Sequence, residues 1–336
     1  MLSFGVTVLP DPPYQRFLEL IKLAESHGFD HGWTYDSHIL WHDAYPLLTL
    51  AAAETNSMML GHCVTNPGIR EPTVTASAYA TLQQISNGRM VMGIGRGDSS
   101  MRVVGLPPVR VEEFETSLPM IKDLMNGRRV EWRDREQQLE WATGQPEIPM
   151  YVAGYGPRAL KVAGRYGDGI IIQLAEPELI DWIMGLARKA AEEAGRDPDV
   201  LKPIVCTPVY VSEDLDRARA QVKWFPAMVG NHVADLLRHH DPDTLPQALW
   251  DYIKRRDRYD YHDHSRVGAK HGEFVDDETA DSFTILGPVE AHVEKLRRLE
   301  EIGVAQLNIY LMTDAQEQTL EIYGRDIIPQ FTQVAA

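Results

Sequence analysis

The feature that most constrains the fold is a repeated alternation between short β-type runs and amphipathic helical patterns. The first unit is an apolar run at residues 4–9, followed by Pro12-Pro13 and by apolar residues at helical spacing, which are Phe17, Leu20, Ile21 and Ala24. Seven further strand patterns follow, at residues 31–35, 58–65, 89–94, 150–153, 169–173, 204–211 and 305–311. Such alternation predicts a parallel sheet in which each helix covers the strand before it.

Helical patterns separate most of these strands, at residues 45–55, 73–86, 111–125, 157–166, 178–194 and 288–302. Eight strands with intervening helices favour a closed (β/α)₈ TIM barrel over an open doubly wound sheet. A chain of 336 residues is long for one domain, but barrels with insertions reach this length. We therefore expect a single domain spanning residues 1–336.

The alternation of strand and helix patterns is interrupted between about residues 212 and 282, where a long polar stretch contains the sequence RRDRYDYHDH. This position predicts an insertion after the seventh strand, above the face of the barrel where the strands end. Two roles are open for residues 212–282. The segment either forms a lid that shapes the substrate site or makes an oligomer contact.

The charge balance restricts the partners of the chain. The formal net charge is −16, from 49 acidic and 33 basic residues, which disfavours nucleic acid and anionic membrane surfaces. No apolar segment approaches about eighteen residues, and the first residues lack a signal-peptide pattern. Two cysteines, Cys63 and Cys206, lie within β-type runs and are expected to be buried thiols. We expect a cytoplasmic protein that binds a small-molecule substrate and forms a homodimer or larger homo-oligomer.

The residues after the second strand include candidates for proton transfer. Asp36-Ser37-His38 follows this strand, and Trp41 and His42 come next. A histidine near the mouth of a barrel can exchange a proton at neutral pH, although it can also be purely structural. His38 and His42 are four residues apart, but no helical pattern surrounds them and no HExxH motif is present, so we expect no metal.

The ends of the third and fourth strands carry polar and glycine-rich loops. Asn66 precedes Pro67, which favours an extended backbone and could direct the amide toward the mouth. The fourth strand leads into Gly95-Arg96-Gly97-Asp98, where the glycines leave room for a flat or phosphorylated ligand and the other two side chains supply opposite charges. The dinucleotide fingerprint GxGxxG is not matched, which argues against a Rossmann fold.

The fifth strand leads directly into a helix through Gly154-Tyr155-Gly156-Pro157-Arg158. Glycines followed by a proline at the first helical position expose backbone N–H groups at the positive end of the helix dipole. Arg158 adds a guanidinium that can donate two parallel hydrogen bonds to a phosphate. The pattern predicts a phosphate site, although a helix start of this composition also has a structural explanation.

Together these segments resemble the luciferase-like family of flavin-dependent and F420-dependent enzymes. The similarity covers nearly the whole chain, and its further motifs are Val64-Thr65-Asn66-Pro67, Ser86-Asn87-Gly88-Arg89, Gly167-Asp168-Gly169 and Ile285-Leu286-Gly287-Pro288. The run Gly-Ile-Gly-Arg-Gly-Asp at residues 93–98 is most similar to the branch that contains methylene-tetrahydromethanopterin reductases and F420-dependent dehydrogenases.

The resemblance implies a barrel of the luciferase-like type and a hydride transfer between coenzyme F420, or alternatively FMN, and a small organic substrate. It implies a non-prolyl cis peptide between Cys63 and Val64 that presses against the cofactor ring. His38 would act as proton donor or acceptor, and Asp98 would stand where related enzymes carry a glutamate. The implied cofactor-binding residues are Asp36, Cys63, Val64, Asn66, Gly95, Arg96, Gly97, Gly154, Tyr155, Gly156, Pro157, Arg158 and Gln173.

Three other functions are compatible with the same residues. One is an FMN-dependent monooxygenase on the same fold, and another is a non-catalytic barrel that binds a ligand. The third is a metal-dependent hydrolase that uses His38, His42, His262 and His264. The run His262-Asp263-His264 lies in a highly charged stretch, which favours solvated side chains over metal ligands.

Overall fold

The central element is a closed barrel of eight parallel strands, which confirms the predicted fold class. The structure is a computed structural model that describes residues 1–233, 254–255 and 259–332. The strands are adjacent in the order β3-β2-β1-β8-β7-β6-β5-β4, and bridges between β3 and β4 close the ring. Their bounds are β1 Ser3–Val8, β2 His31–Thr34, β3 Met59–His62, β4 Met92–Ile94, β5 Met150–Ala153, β6 Gly169–Ile172, β7 Lys202–Thr207 and β8 Gln306–Tyr310.

Glycine permits the close approach of backbones where the barrel closes. A Cβ atom on Gly93 would lie 2.2 Å from the carbonyl oxygen of His62, and one on Gly61 would lie 2.0 Å from that of Val91. The Thr65 backbone N–H donates to the Gly93 carbonyl at 2.9 Å across the same seam. Any larger residue at Gly93 would therefore separate β3 from β4, whose ends carry two of the predicted site loops.

Helices surround the barrel where the apolar periodicity predicts them. On α1, for example, the buried residues are Phe17, Leu18, Leu20, Ile21 and Ala24, which face the sheet. The helices that follow the eight strands are α1 Tyr14–Ser26, α2 Ala44–Glu54, α3 Pro72–Ile85, α4 Val111–Met125, α5 Pro157–Tyr166, α6 Pro177–Glu193, α10 Val289–Glu301 and α11 Gln316–Ile322. The sequence did not predict α11, which is short and has few apolar positions.

One arginine joins several elements at the amino-terminal face of the barrel. The guanidinium of Arg89 donates to the backbone carbonyls of Ala52, Thr55 and Met58 at 2.7–2.9 Å. It also donates to the Ser86 carbonyl at 2.7 Å. Arg89 therefore connects the end of α2 and the start of β3 to the turn that precedes β4.

The predicted strand at residues 204–211 is wrong in its extent. β7 ends at Thr207, and a separate strand, Val209–Val211, pairs in parallel with Ile285–Gly287. The break falls at Pro208, which has no backbone N–H to contribute to the barrel. A hairpin of Val130–Trp132 and Arg135–Gln137 was also not predicted.

The described part of the segment 212–282 packs against the end of the barrel where the strands finish. It contains α7 Leu215–Val222, α8 Trp224–Val233, α9 Asp277–Phe283 and two short 3-10 turns, Tyr261–Asp263 and Lys270–Gly272. Residues 234–253 and 256–258 of this segment lie outside the described residues. None of the helices described is both long enough and apolar enough to cross a lipid bilayer.

Candidate active site

The loops after β3, β4, β5 and β6 enclose two connected spaces at the carboxyl ends of the strands. An outer cleft of about 340 Å³ adjoins an inner chamber of about 80 Å³. Both are lined by Val64, Gly97, Asp98, Gln173 and His232. The predicted site residues that line one or both spaces are Asp36, Cys63, Val64, Gly95, Arg96, Gly97, Asp98, Gly154, Tyr155, Gly156, Arg158 and Gln173.

The peptide bond between Cys63 and Val64 is cis in the structure. It follows β3 directly and places the Val64 side chain between the two spaces. Gly95 lies opposite, where a Cβ atom would approach Val64 Cγ2 to 3.0 Å. Cys63 and Cys206 are both buried and free, as the sequence predicted, and their sulfur atoms are 3.8 Å apart.

Asn66 supports the loop after β4 and does not line either space. Its Nδ2 donates to Ser100 Oγ at 2.9 Å, and its Oδ1 accepts from the backbone N–H groups of Gly68 and Ile69 at 3.0 and 3.1 Å. Gly97, whose φ is +78°, packs over this amide. The hydrogen-bonding groups of Asn66 are engaged within the protein, so the implied contact with a cofactor ring stays a prediction that this geometry does not support.

His38 lies apart from the other predicted residues. Its side chain is exposed in a turn and lines neither the outer cleft nor the inner chamber. Trp41, three residues later, is buried with its ring 5.4 Å from that of Tyr35. The role of His38 in proton transfer stays a prediction, and the structure brings a different histidine to the site.

The outer cleft is basic although the whole chain is acidic. Arg96, Arg110 and Arg158 line it together with two acidic residues, Asp98 and Glu112. Three positive groups against two negative ones leave an excess of positive charge, in a chain whose formal net charge is −16. An anion is therefore favoured in this cleft over the rest of the surface.

The amino terminus of α5 contributes to the same end of the cleft. Gly156 is the N-cap residue and Pro157 occupies the first turn, so the first backbone N–H groups have no carbonyl partner within the helix. Arg158 extends from this turn and forms an ion pair with Glu112 on α4. Free N–H groups, the helix dipole and a guanidinium together suit a phosphate or carboxylate group.

Asp98 is the centre of a hydrogen-bond network at the inner end of the cleft. Tyr261 donates its hydroxyl to both carboxylate oxygens, at 3.1 and 2.9 Å, and Asn231 Nδ2 donates to Oδ2 at 3.3 Å. Arg102 Nε donates to Oδ1 at 2.7 Å, and His232 Nε2 lies 3.4 Å from Oδ2. Burial acts to raise the pKa of Asp98, but His232, Arg102 and Tyr261 together hold that pKa below its ordinary value. Asp98 is thus a stable anion.

His232 connects Asp98 to the end of β6. Its Nδ1 lies 3.0 Å from Gln173 Oε1, which also accepts a hydrogen bond from the Tyr155 hydroxyl. Gln173 Nε2 donates to the Tyr310 hydroxyl at 2.7 Å. Burial lowers the pKa of His232, although Asp98 opposes the effect. The imidazole is therefore neutral at neutral pH and has an acceptor beside each ring nitrogen.

The expectation that His262, Asp263 and His264 are all solvated is wrong for one of them. His262 and Asp263 are exposed, but His264 is buried and pairs through Nδ1 with the Tyr259 hydroxyl at 2.6 Å. Burial, followed by the nearby His232, lowers the pKa of His264 to about 3. Among the described residues there is no group of three or more side chains placed to bind a metal ion.

The sequence did not identify four residues of this site: Arg110, Asn231, His232 and Tyr261. Three of them belong to the segment 212–282, which has no strand end to mark them. The available indication was the pair Asn231-His232 at the end of an otherwise apolar helix, α8. Polar side chains at the end of a largely apolar helix are partly buried and need hydrogen-bond partners, and both Asn231 and His232 contact Asp98.

Fold and site together define a (β/α)₈-barrel protein with an arginine-lined cleft and a carboxylate–imidazole pair at the ends of its strands. Residues 2–306 match the family described as luciferase-like monooxygenase. The chain belongs to this luciferase-like family.

Two similar proteins of known activity cover almost the full length of the chain. The 5,10-methylenetetrahydromethanopterin reductase of Methanopyrus kandleri is 29% identical over 99% of this chain and 99% of its own length. The F420-dependent glucose-6-phosphate dehydrogenase of Nakamurella multipartita is 28% identical over 93% of this chain and 91% of its own.

The fold is also similar to that of a solved structure. The coenzyme F420 dependent tetrahydromethanopterin reductase from Methanopyrus kandleri superposes with a TM-score of 0.77 at 27% identity. The match covers 98% of this chain and 99% of that one.

Proposed function

We propose that the protein is an oxidoreductase that binds coenzyme F420 and moves a hydride between this cofactor and a small organic substrate. The observation that carries the proposal is that one continuous cleft is lined by Arg158 and the first turn of α5 at one end and by Val64 and Gly95 at the other. The full-length similarity to two enzymes that are named for F420 or for a reductase activity supports the same assignment.

The residues of the cleft fit the chemistry of this cofactor. Coenzyme F420 carries a flat deazaflavin ring and a tail with phosphate and carboxylate groups. Arg96, Arg110, Arg158 and the first turn of α5 would hold the anionic tail, and Val64 with Gly95 would border the ring. When bound, the deazaflavin supplies a two-electron acceptor or donor.

The protein supplies orientation and the exclusion of water around this chemistry. Met228, His232 and His264 bring the segment 212–282 against the inner chamber, beside residues from the barrel loops. We propose that the described part of this segment shapes the substrate site within a single catalytic domain.

Equilibrium binding to F420 and to FMN, measured in parallel by fluorescence titration, tests the proposal. We expect saturable binding of F420 that Arg158→Ala weakens. Arg165→Ala is the matched control, because Arg165 lies on the same helix but pairs with Glu115 outside the cleft. Preference for FMN, together with oxygen consumption by the reduced complex, would overturn the proposal in favour of a monooxygenase.

A further inference from the structure

We infer that His232 is a catalytic base and acid, oriented by Asp98 and Gln173, and that the substrate is a small uncharged alcohol or its carbonyl product. The inference rests on the proposed function, since it assigns the proton that accompanies the hydride. It names a residue of the segment 212–282 in place of His38, whose side chain lies outside both spaces.

The first argument is position. His232 lines both the outer cleft and the inner chamber, so a molecule in either space can reach the imidazole. Only 13% of its side chain is exposed, which limits competition from bulk water. A proton donor or acceptor must lie within hydrogen-bond reach of the reacting group, and His232 meets this condition for any ligand that fills the chamber.

The second argument is the count of donors and acceptors around the ring. Asp98 Oδ2 lies 3.4 Å from Nε2 and Gln173 Oε1 lies 3.0 Å from Nδ1, and both of these oxygens accept hydrogen bonds. A neutral imidazole has one N–H and can satisfy only one of them, whereas an imidazolium satisfies both. The surroundings thus favour the protonated product of a proton transfer, while burial keeps the resting ring neutral.

Asp98 acts through His232 and is a positioning residue. Tyr261, Asn231 and Arg102 hold its carboxylate in place. As a fixed anion it stabilises positive charge on the imidazole, as the carboxylate of a catalytic triad does. The described groups that face His232 are Asp98 and Arg102 from the loop after β4, Tyr155 from the loop after β5, and Tyr261 and His264 from the segment 212–282.

The substrate class follows from the inner chamber. Its volume of about 80 Å³ is small. Asp98, whose pKa is held below its ordinary value, lines it together with Asp36, whose pKa is raised by burial. No lysine or arginine lines it among the described residues. An anionic substrate would be repelled there, so a sugar phosphate fits poorly and a small neutral molecule fits well.

The reaction balances with these parts alone. In the oxidation direction, the carbinol C–H bond would break and its electron pair would leave as hydride to bound F420. The O–H bond would break as the C=O double bond forms, and its proton would pass to Nε2 of His232, because Nδ1 carries the N–H that faces Gln173 Oε1. The new Nε2–H would then face Asp98 Oδ2. The reverse direction returns the proton to the carbonyl oxygen. A transfer of hydride to a cationic C=N group would require no such base, so the pairing of His232 with Asp98 favours the alcohol and carbonyl couple.

The test uses the full-length protein with F420 and with 2-propanol and 2-butanol as probes. Reduction of F420 is followed by absorbance, and F420 binding is measured on the same preparations. We expect His232→Gln to bind F420 like the wild type but to lower kcat at least about a hundredfold, the lower range for loss of a general base. His262→Gln is the matched control, because His262 is exposed and adjoins neither space.

The pH profile distinguishes catalysis from a structural effect. The oxidation rate of the wild type should fall as the pH decreases through the pKa of His232, which lies below the ordinary histidine value. Asp98→Asn removes the charge that raises this pKa, so the fall should move to lower pH. In His232→Gln the fall should be absent.

Each outcome has a separate meaning. Bound F420 with no turnover of either alcohol, or an unchanged rate in His232→Gln, would overturn this inference and leave the proposed function standing. Absence of F420 binding in the wild type would overturn the proposed function and this inference with it. Thermal unfolding of His232→Gln and Asp98→Asn confirms that both variants are folded when they are assayed.

Discussion

Neutralising Glu112 should strengthen the binding of an anionic cofactor, and this is the sharpest test of the outer cleft. Glu112 occupies Arg158 in an ion pair and is one of two acidic residues among five charged groups that line the cleft. Glu112→Gln raises the excess positive charge from one to two and releases Arg158 for the ligand. Arg158→Ala lowers the excess to zero.

The magnitude follows from the exposure of the pair. The side chains of Arg158 and Glu112 are 63% and 69% exposed, so solvent screens them strongly. One charge at this exposure should change affinity by about two- to fivefold, in opposite directions for the two variants. The double variant restores the original excess of charge but not the contacts of Arg158, so it should bind F420 more tightly than Arg158→Ala and less tightly than the wild type.

Fluorescence titration with F420 at low and at high salt measures these effects. The differences should shrink at high salt, because the Debye length falls from about 10 Å at 0.1 M to about 3 Å at 1 M. Glu115→Gln is the control, since Glu115 also lies on α4 and pairs with an arginine of α5, but outside the cleft. An unchanged or weaker affinity in Glu112→Gln at low salt would refute the anion site.

Three further predictions concern the fold and the loop after β4. Arg89→Lys should lower the free energy of unfolding by about 2–3 kcal/mol in urea titrations, because an ammonium group cannot donate hydrogen bonds to all four backbone carbonyl groups at once. An unchanged urea midpoint would show that water molecules replace these hydrogen bonds. Gly97→Ala should lower the free energy of unfolding by about 1–3 kcal/mol in the same assay and weaken F420 binding, since φ is +78° and the new Cβ would lie 2.7 Å from Met101 Cγ. An unchanged free energy of unfolding would show that alanine is not strained at this position. Burial lowers the pKa of His62 to about 3 and that of His292 to about 4. Below pH 6.5 the unfolded chain therefore binds more protons than the folded one, so the free energy of unfolding should fall with decreasing pH, by about 1.4 kcal/mol per unit for each histidine. His62→Gln should reduce the slope of the free energy of unfolding against pH. A slope that His62→Gln does not alter would exclude His62 as a contributor.

The barrel was predictable because its information is local. The eight barrel strands and most of the helices that cover them are indicated by the spacing of apolar residues in the sequence. The glycines of residues 93–97 and 154–156 lie directly at strand ends. In a parallel barrel all strand ends on one face converge, so the loops that form the cleft could be grouped without coordinates. That reasoning placed Asp98 and Arg158 among the candidates, the resemblance to the luciferase-like family added Gln173, and all three line the cleft.

The rest of the site depends on contacts between distant parts of the chain. His232 follows no strand, and its approach to Asp98 depends on how α8 packs over the barrel. His38 and Asn66 also follow strands, but in this structure the side chain of His38 is exposed and that of Asn66 bonds to the loop after β4, so their predicted roles stay predictions. Position after a strand places a residue near the mouth, and only the surrounding packing decides its direction.

The two halves of the site come from different parts of the polypeptide. Barrel loops supply the cation-lined groove, whereas α8 and the turn at Tyr261–Asp263 supply the groups that surround Asp98. Mutation can therefore alter one half while the other is preserved. If the proposed division holds, grafting residues 212–282 from a relative onto this barrel should change which substrate is turned over and leave F420 binding intact.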